Sequence, residues 1–128
     1  MSDSTTATVE STIDAYLAAY GEPDTTRRST LIESVWAVDG HLVDPPLDGK
    51  GHVGISEMAA AMLAHFAGHS FRRSTGVDEH HGIARYGWEL VAPDGSVTLA
   101  GMDVAEFAGD GKLARVAGFF GDLPARDA

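Results

Sequence analysis

Apolar residues recur every three to four positions in the first half of this chain and closer to every second position in the remainder. Val9, Ile13, Tyr16, Leu17 and Tyr20 keep helical spacing, and Gly21 with Pro23 stops the run. Asp24 is placed to cap a second helix, on which Leu31, Ile32, Val35 and Trp36 share a face and which Asp39-Gly40 ends. A short strand over 41–44 is broken by Pro45-Pro46, because proline cannot donate to a ladder, and 47–51 reads as loop. A third helix is predicted over about 53–67, with Ile55, Met58, Met62 and Phe66 on its buried face and Gly68 at its end.

From Ser70 onward valines, aromatics and glycines replace the alanine-rich pattern. Strands are predicted near 70–80, 83–92, 97–107 and 113–121, joined at His81-Gly82, Pro93-Asp94-Gly95 and Gly109-Asp110-Gly111. Three helices followed by an antiparallel meander predict an α+β fold with the helices on one face of a strongly curved sheet. A sheet bent that far leaves a blind apolar pocket, a usual place for a small ligand. The expected organisation is a single domain over 1–128, with a flexible start at 1–7 and a loose tail at 123–128.

Composition narrows the possible partners. Nine Lys and Arg against 19 Asp and Glu give a net charge of −10, a surface that repels phosphate backbones and anionic lipid. Nucleic acid and membrane are therefore not expected as partners. The chain has no cysteine, which removes disulfides, thiolate nucleophiles and cysteine-based metal sites. The start of the chain has neither the basic stretch nor the apolar run of a signal peptide, so a cytoplasmic location is expected.

Three polar residues fall where the pattern is apolar. Asp44 ends the first strand in Leu42-Val43-Asp44-Pro45; desolvation there would raise its pKa and make it a proton acceptor near neutrality, although a turn aspartate before prolines fits the same place. Asp103 lies inside a strand, on the face shared by Leu99, Gly101, Ala105 and Phe107. Buried and protonated it could donate to an oxyanion, or it could be a structural acid paired with arginine or backbone. Tyr16 lies on the helix 1 stripe, either as a core residue with its hydroxyl at the edge or as a further oxyanion donor. Tyr86, Trp88 and Phe120 are expected to line the pocket by strand phase, with Met62 and Phe66 facing it from helix 3. His80-His81 read as a solvated hairpin tip, since neighbours on a strand point to opposite faces. Arg85 and Glu89 fall on the same face of one strand, and a surface cross-strand ion pair is the simple reading. No His-Glu-x-x-His, phosphate loop or nucleophile elbow occurs, and no metal is expected.

Tyr16, Val43-Asp44-Pro45, Gly51 opening an amphipathic helix, and Met102-Asp103-Val104-x-x-Phe107 before Gly111-Lys112-Leu113 together resemble the nuclear-transport-factor-2-like superfamily. The nearest branch is that of SnoaL-like polyketide cyclases and ketosteroid isomerases, and the resemblance runs over about residues 8 to 123. It implies a cone of three N-terminal helices on a curved, mixed-edge sheet enclosing a pocket. It also implies Asp44 as general base beside a substrate carbonyl, Tyr16 and Asp103 as oxyanion donors, Phe120 as a pocket aromatic, and no cofactor. The substrate would be an apolar carbonyl compound, and the reaction that of an isomerase, cyclase or lyase. A homodimer is implied as well. The supporting tyrosine of that family on helix 3 has no counterpart here, where Met58, Met62, His65 and Phe66 stand instead. A relative that opens epoxides uses an Asp–Arg–Asp set, of which Asp103 matches one acid while Arg85 is expected to face outward. A non-catalytic module that binds a ligand or dimerises on the same fold is the alternative.

Overall fold

A computed structural model of the chain describes residues 2–127, with side chains from Thr8 onward. Met1 and Ala128, the outer limits of the expected loose ends, lie outside the described residues. Helix α1 (Ser2–Tyr20) begins ahead of its apolar stripe and turns Ile13, Tyr16, Leu17 and Tyr20 into the core. Asp24 accepts a hydrogen bond from the Arg27 backbone N–H at 3.0 Å and so caps α2 (Thr25–Val35). Strands β1 (Trp36–Asp44) and β2 (Leu47–Lys50) lead into α3 (Gly51–His65). Then follow β3 (Ser70–Arg73), β4 (Asp78–His80), β5 (Ile83–Val91), β6 (Val97–Phe107) and β7 (Leu113–Phe120). Arg28 is buried on α2; it donates to the Ser56 hydroxyl at 3.0 Å and the Glu22 carbonyl at 2.7 Å, tying α2 to α3 and to the preceding turn.

Three boundaries differ from the sequence reading. The second helix stops at Val35, and Trp36, expected on its apolar face, already pairs in the sheet with Leu113. An aromatic at a helix–strand junction can be buried in either conformation, and here sheet pairing decides it. Residues 47–50 are strand rather than loop: Asp44 pairs with Leu47, so Pro45-Pro46 form the turn of a hairpin and occupy no ladder position. The single strand expected over 70–80 is two, β3 and β4, both paired with β5 and separated where the Gly87 N–H turns to the Thr75 hydroxyl.

The sheet order is β2-β1-β7-β6-β5-β3, with β4 also on β5; β1 and β7 run parallel and the remaining pairs antiparallel. Register shifts in the β1–β7, β5–β6 and β6–β7 ladders break the regular pleat, as bulges do where a sheet bends. The three helices pack on this open sheet, an α+β architecture, and Trp36, Ile32, Leu42, Ile55, Leu113 and Val116 fill the core between the layers. Among the described residues no helix is long and apolar enough to cross a membrane.

Candidate active site

Sheet register brings the two aspartates into one row. Asp103 on β6 lies opposite Tyr86 on one side and Gly118 on the other, and the parallel β1–β7 ladder pairs Val43 with Ala117, one step before Asp44 and Gly118. The glycine lets the acids converge. A β-carbon at Gly118 would stand 2.7 Å from Asp44 Oδ1 and 3.1 Å from Asp103 Oδ1. Both acids are buried, with 6% and 4% of their surface exposed.

Phenols hold the far side of each carboxyl group. Tyr20 donates to Asp44 Oδ2 at 3.1 Å, and Tyr86 donates to Asp103 Oδ2 at 2.8 Å. Tyr16, one turn before Tyr20 on α1, sits within electrostatic reach of both acids and has no hydrogen-bond partner among the described residues. Its ring is fixed edge-on against Trp36 at 5.6 Å. Asp44 Oδ1 is buried and accepts no hydrogen bond from the protein.

These surroundings set the protonation states. Burial raises the pKa of Asp44, and the Tyr20 hydrogen bond partly opposes that rise. Asp103 is pushed up to about 7, chiefly by burial; the Tyr86 hydrogen bond lowers it, and the neighbouring Asp44 charge raises it. The Trp88 indole N–H is near enough to favour the ionised form of Asp103 without reaching hydrogen-bond geometry. Tyr16, Tyr20 and Tyr86 are held protonated, first by burial and then by the nearby carboxyl groups. The site thus sets two carboxyl groups of raised pKa among three phenols that stay neutral.

A cavity of about 400 Å³ opens onto Asp44. Met62 from α3, Phe66 just past its end, and Leu99 and Phe120 from the sheet line it, with the Pro45-Pro46 turn, Leu47, Ala61 and His65 also at its border. Of the residues expected to line it, Met62, Phe66 and Phe120 do so. Tyr86 and Trp88 do not: both are core residues 3% exposed, and the Tyr86 hydroxyl is spent on Asp103. Asp103 and Tyr16 are buried and are not among the residues that line this cavity.

Sequence reading of the site missed Tyr20. Its signal was present, since two tyrosines one helical turn apart on a buried stripe point their hydroxyl groups at the same layer. His80 and His81 are exposed at the hairpin tip as expected, but His81 adopts a φ of 52° and the two rings meet with their Nδ1 atoms 3.1 Å apart instead of pointing to opposite faces. Arg85 faces outward and pairs with Asp78, while Glu89 pairs with Arg72. No group of three or more potential metal-ligating side chains is found among the described residues.

Comparison with known proteins adds relatives to this geometry. The chain is similar to a candidate isomerase of the SnoaL-like family from Agrobacterium tumefaciens, with 34% identity over 93% of this chain and 99% of that one and a TM-score of 0.83. An NTF2-like protein of unknown function from Exiguobacterium matches at 20% identity over 88% and 99% of the two chains, with a TM-score of 0.68. A candidate polyketide cyclase from Sinorhizobium meliloti matches at 15% identity over 85% and 94%, with a TM-score of 0.67. The latter two share the fold. No protein-family model and no curated protein sequence matches the chain.

Proposed function

The chain belongs to the SnoaL-like family, and from that premise we propose that it moves a proton on an apolar carbonyl compound. Asp44 takes the proton from the carbon beside the carbonyl, and the electrons of that C–H bond move to the carbonyl oxygen as an enolate forms. Tyr16, and Asp103 in its protonated form, donate hydrogen bonds to that oxygen. Protonated Asp44 then returns its proton to the same carbon or to a conjugated one.

The observation that carries this reading is the state of the Asp44 carboxyl group. One oxygen is fixed by Tyr20, the other is buried against Gly118 without a donor, and the residue borders an apolar cavity. A carboxylate stripped of water but held in place is a stronger and better-aimed base than one in solvent. Donors that are already neutral and oriented need no reorganisation as charge develops; removing one such donor from an oxyanion site commonly costs about 3 kcal/mol. The reading requires the carbonyl oxygen to reach past Asp44 toward Asp103 and Tyr16.

A second reading, ligand binding without catalysis, is favoured by the absence of those two donors from the cavity lining. Proton exchange separates the two. The test uses 2-tetralone, an enolisable bicyclic ketone, in D₂O, with binding followed by ligand-observed NMR and exchange by loss of its α-proton signals. Exchange faster than in buffer is expected, falling roughly a hundredfold or more in Asp44→Asn while the thermal transition persists. A bound ketone exchanging at the buffer rate, or an Asp44→Asn protein as fast as wild type, overturns catalysis.

A further inference from the structure

The cavity has two ionisable side chains on its border, and they lie at different depths. Asp44 is buried, whereas His65 on the last turn of α3 is exposed. The wall between them is apolar. This polarity pattern, with a proton acceptor deep inside and a hydrogen-bonding ring at the rim, selects for a particular ligand shape.

His65 also differs from every other histidine among the described residues. His41 is bound to Asp48, His52 to the Trp36 carbonyl, and His69 to the Ala67 carbonyl and the Thr98 hydroxyl, while His80 and His81 bind each other. His65 has no hydrogen bond or ion pair. Its ring is set edge-on to Phe66, with centroids 4.6 Å apart, and Phe66 is itself part of the cavity wall. Packing therefore holds the ring at the rim while its nitrogens are uncommitted.

We propose that His65 is a specificity-determining residue that binds an oxygen at the end of the substrate remote from the reacting carbon. The substrate class is an elongated apolar carbonyl compound, of two or more fused or linked rings, carrying a hydroxyl, carbonyl or carboxylate group at its outer end. A volume of about 400 Å³ suits such a molecule. The proposal rests on the reading of this cavity as the substrate site.

Affinity measured for matched ketones tests it. The probes are 6-hydroxy-2-tetralone and its isosteric control 6-methyl-2-tetralone, titrated by NMR into wild type, His65→Ala, His65→Gln and Asp44→Asn proteins. Wild type is expected to bind the hydroxy ketone up to about tenfold more tightly than the methyl ketone, the upper worth of one neutral hydrogen bond. His65→Ala is expected to erase that preference by weakening the hydroxy ketone, and His65→Gln to restore part of it. Asp44→Asn is expected to keep the preference while losing α-proton exchange.

Absence of a preference in wild type, its survival in His65→Ala, or an equal loss for both ketones would overturn the role of His65. If the preference holds but wild type exchanges no protons, His65 recognition stands and catalysis by Asp44 falls. If exchange holds without a preference, the reverse follows. A protein that binds neither ketone overturns both.

Discussion

Asp44 and Asp103 share Gly118 as a common neighbour, their Oδ1 atoms 2.7 and 3.1 Å from the point where a side chain on that glycine would begin. Two carboxyl groups so placed, and buried, cannot both ionise without a large electrostatic cost. The Asp44 charge accordingly adds to the burial that already raises Asp103. Whatever reaction the site performs, its proton inventory belongs to this row of the sheet.

Gly118→Ala tests the row directly. A methyl group there meets Asp44 Oδ1 at 2.7 Å, and Tyr20 prevents that carboxyl group from rotating away freely. Ketone exchange is expected to fall at least about tenfold, with destabilisation of about 1–3 kcal/mol as for other overpacked sites. Exchange kinetics and urea denaturation measure the two effects. Wild-type exchange with wild-type stability would show that the aspartates do not converge over this glycine.

Asp103 should give stability a distinctive pH dependence. Its pKa in the folded protein is about 7, against a little under 4 for an ordinary aspartate, so between those values the folded state keeps a proton that the unfolded chain has released. The sign follows: this group's contribution to stability is most favourable below about pH 4, declines as pH rises through the window, and levels off above about 7. Asp103→Asn cannot ionise. Relative to wild type the variant should gain up to a few kcal/mol between pH 4.5 and pH 8. Urea denaturation at the two pH values measures that gain, and a difference that does not change with pH would contradict the raised pKa.

Tyr20→Phe removes the hydrogen bond that opposes the burial-driven rise at Asp44. The Asp44 pKa should climb further, moving the acidic limb of the pH–exchange profile to higher pH. The profile of 2-tetralone exchange measures this. A limb that does not move would mean that another group, not Asp44, accepts the proton.

Much of this arrangement is legible in the residues, and what is not has a common cause. The stripes of α1 and α3 and the period-two alternation of β5 and β6 placed Tyr16, Met62, Tyr86 and Asp103 on buried faces, because burial follows local periodicity. Asp103 stood out as an acid inside an apolar strand face. Local pattern does not report strand order, so the insertion of β7 beside β1, and with it the place of Gly118, was not visible. Nor does a stripe distinguish Tyr16 from Tyr20; which hydroxyl meets Asp44 depends on how α1 is rotated over the sheet. Tyr86 was read as wall because its side chain is large and inward. Its bond to Asp103 comes from the β5–β6 register, which the hairpin length fixes only to within a residue or two.

The position of β7 has a consequence for assembly during synthesis. It follows every other strand in chain order, yet it lies between β1 and β6. Until it leaves the ribosome, β1 and β6 each carry an open edge, and the two acids remain apart, hydrated and ordinary in their acidity. Its insertion seals both edges in one event and at the same moment forces the carboxyl groups together. The contact that sets the acidity of the site thus waits for the last strand to be in place.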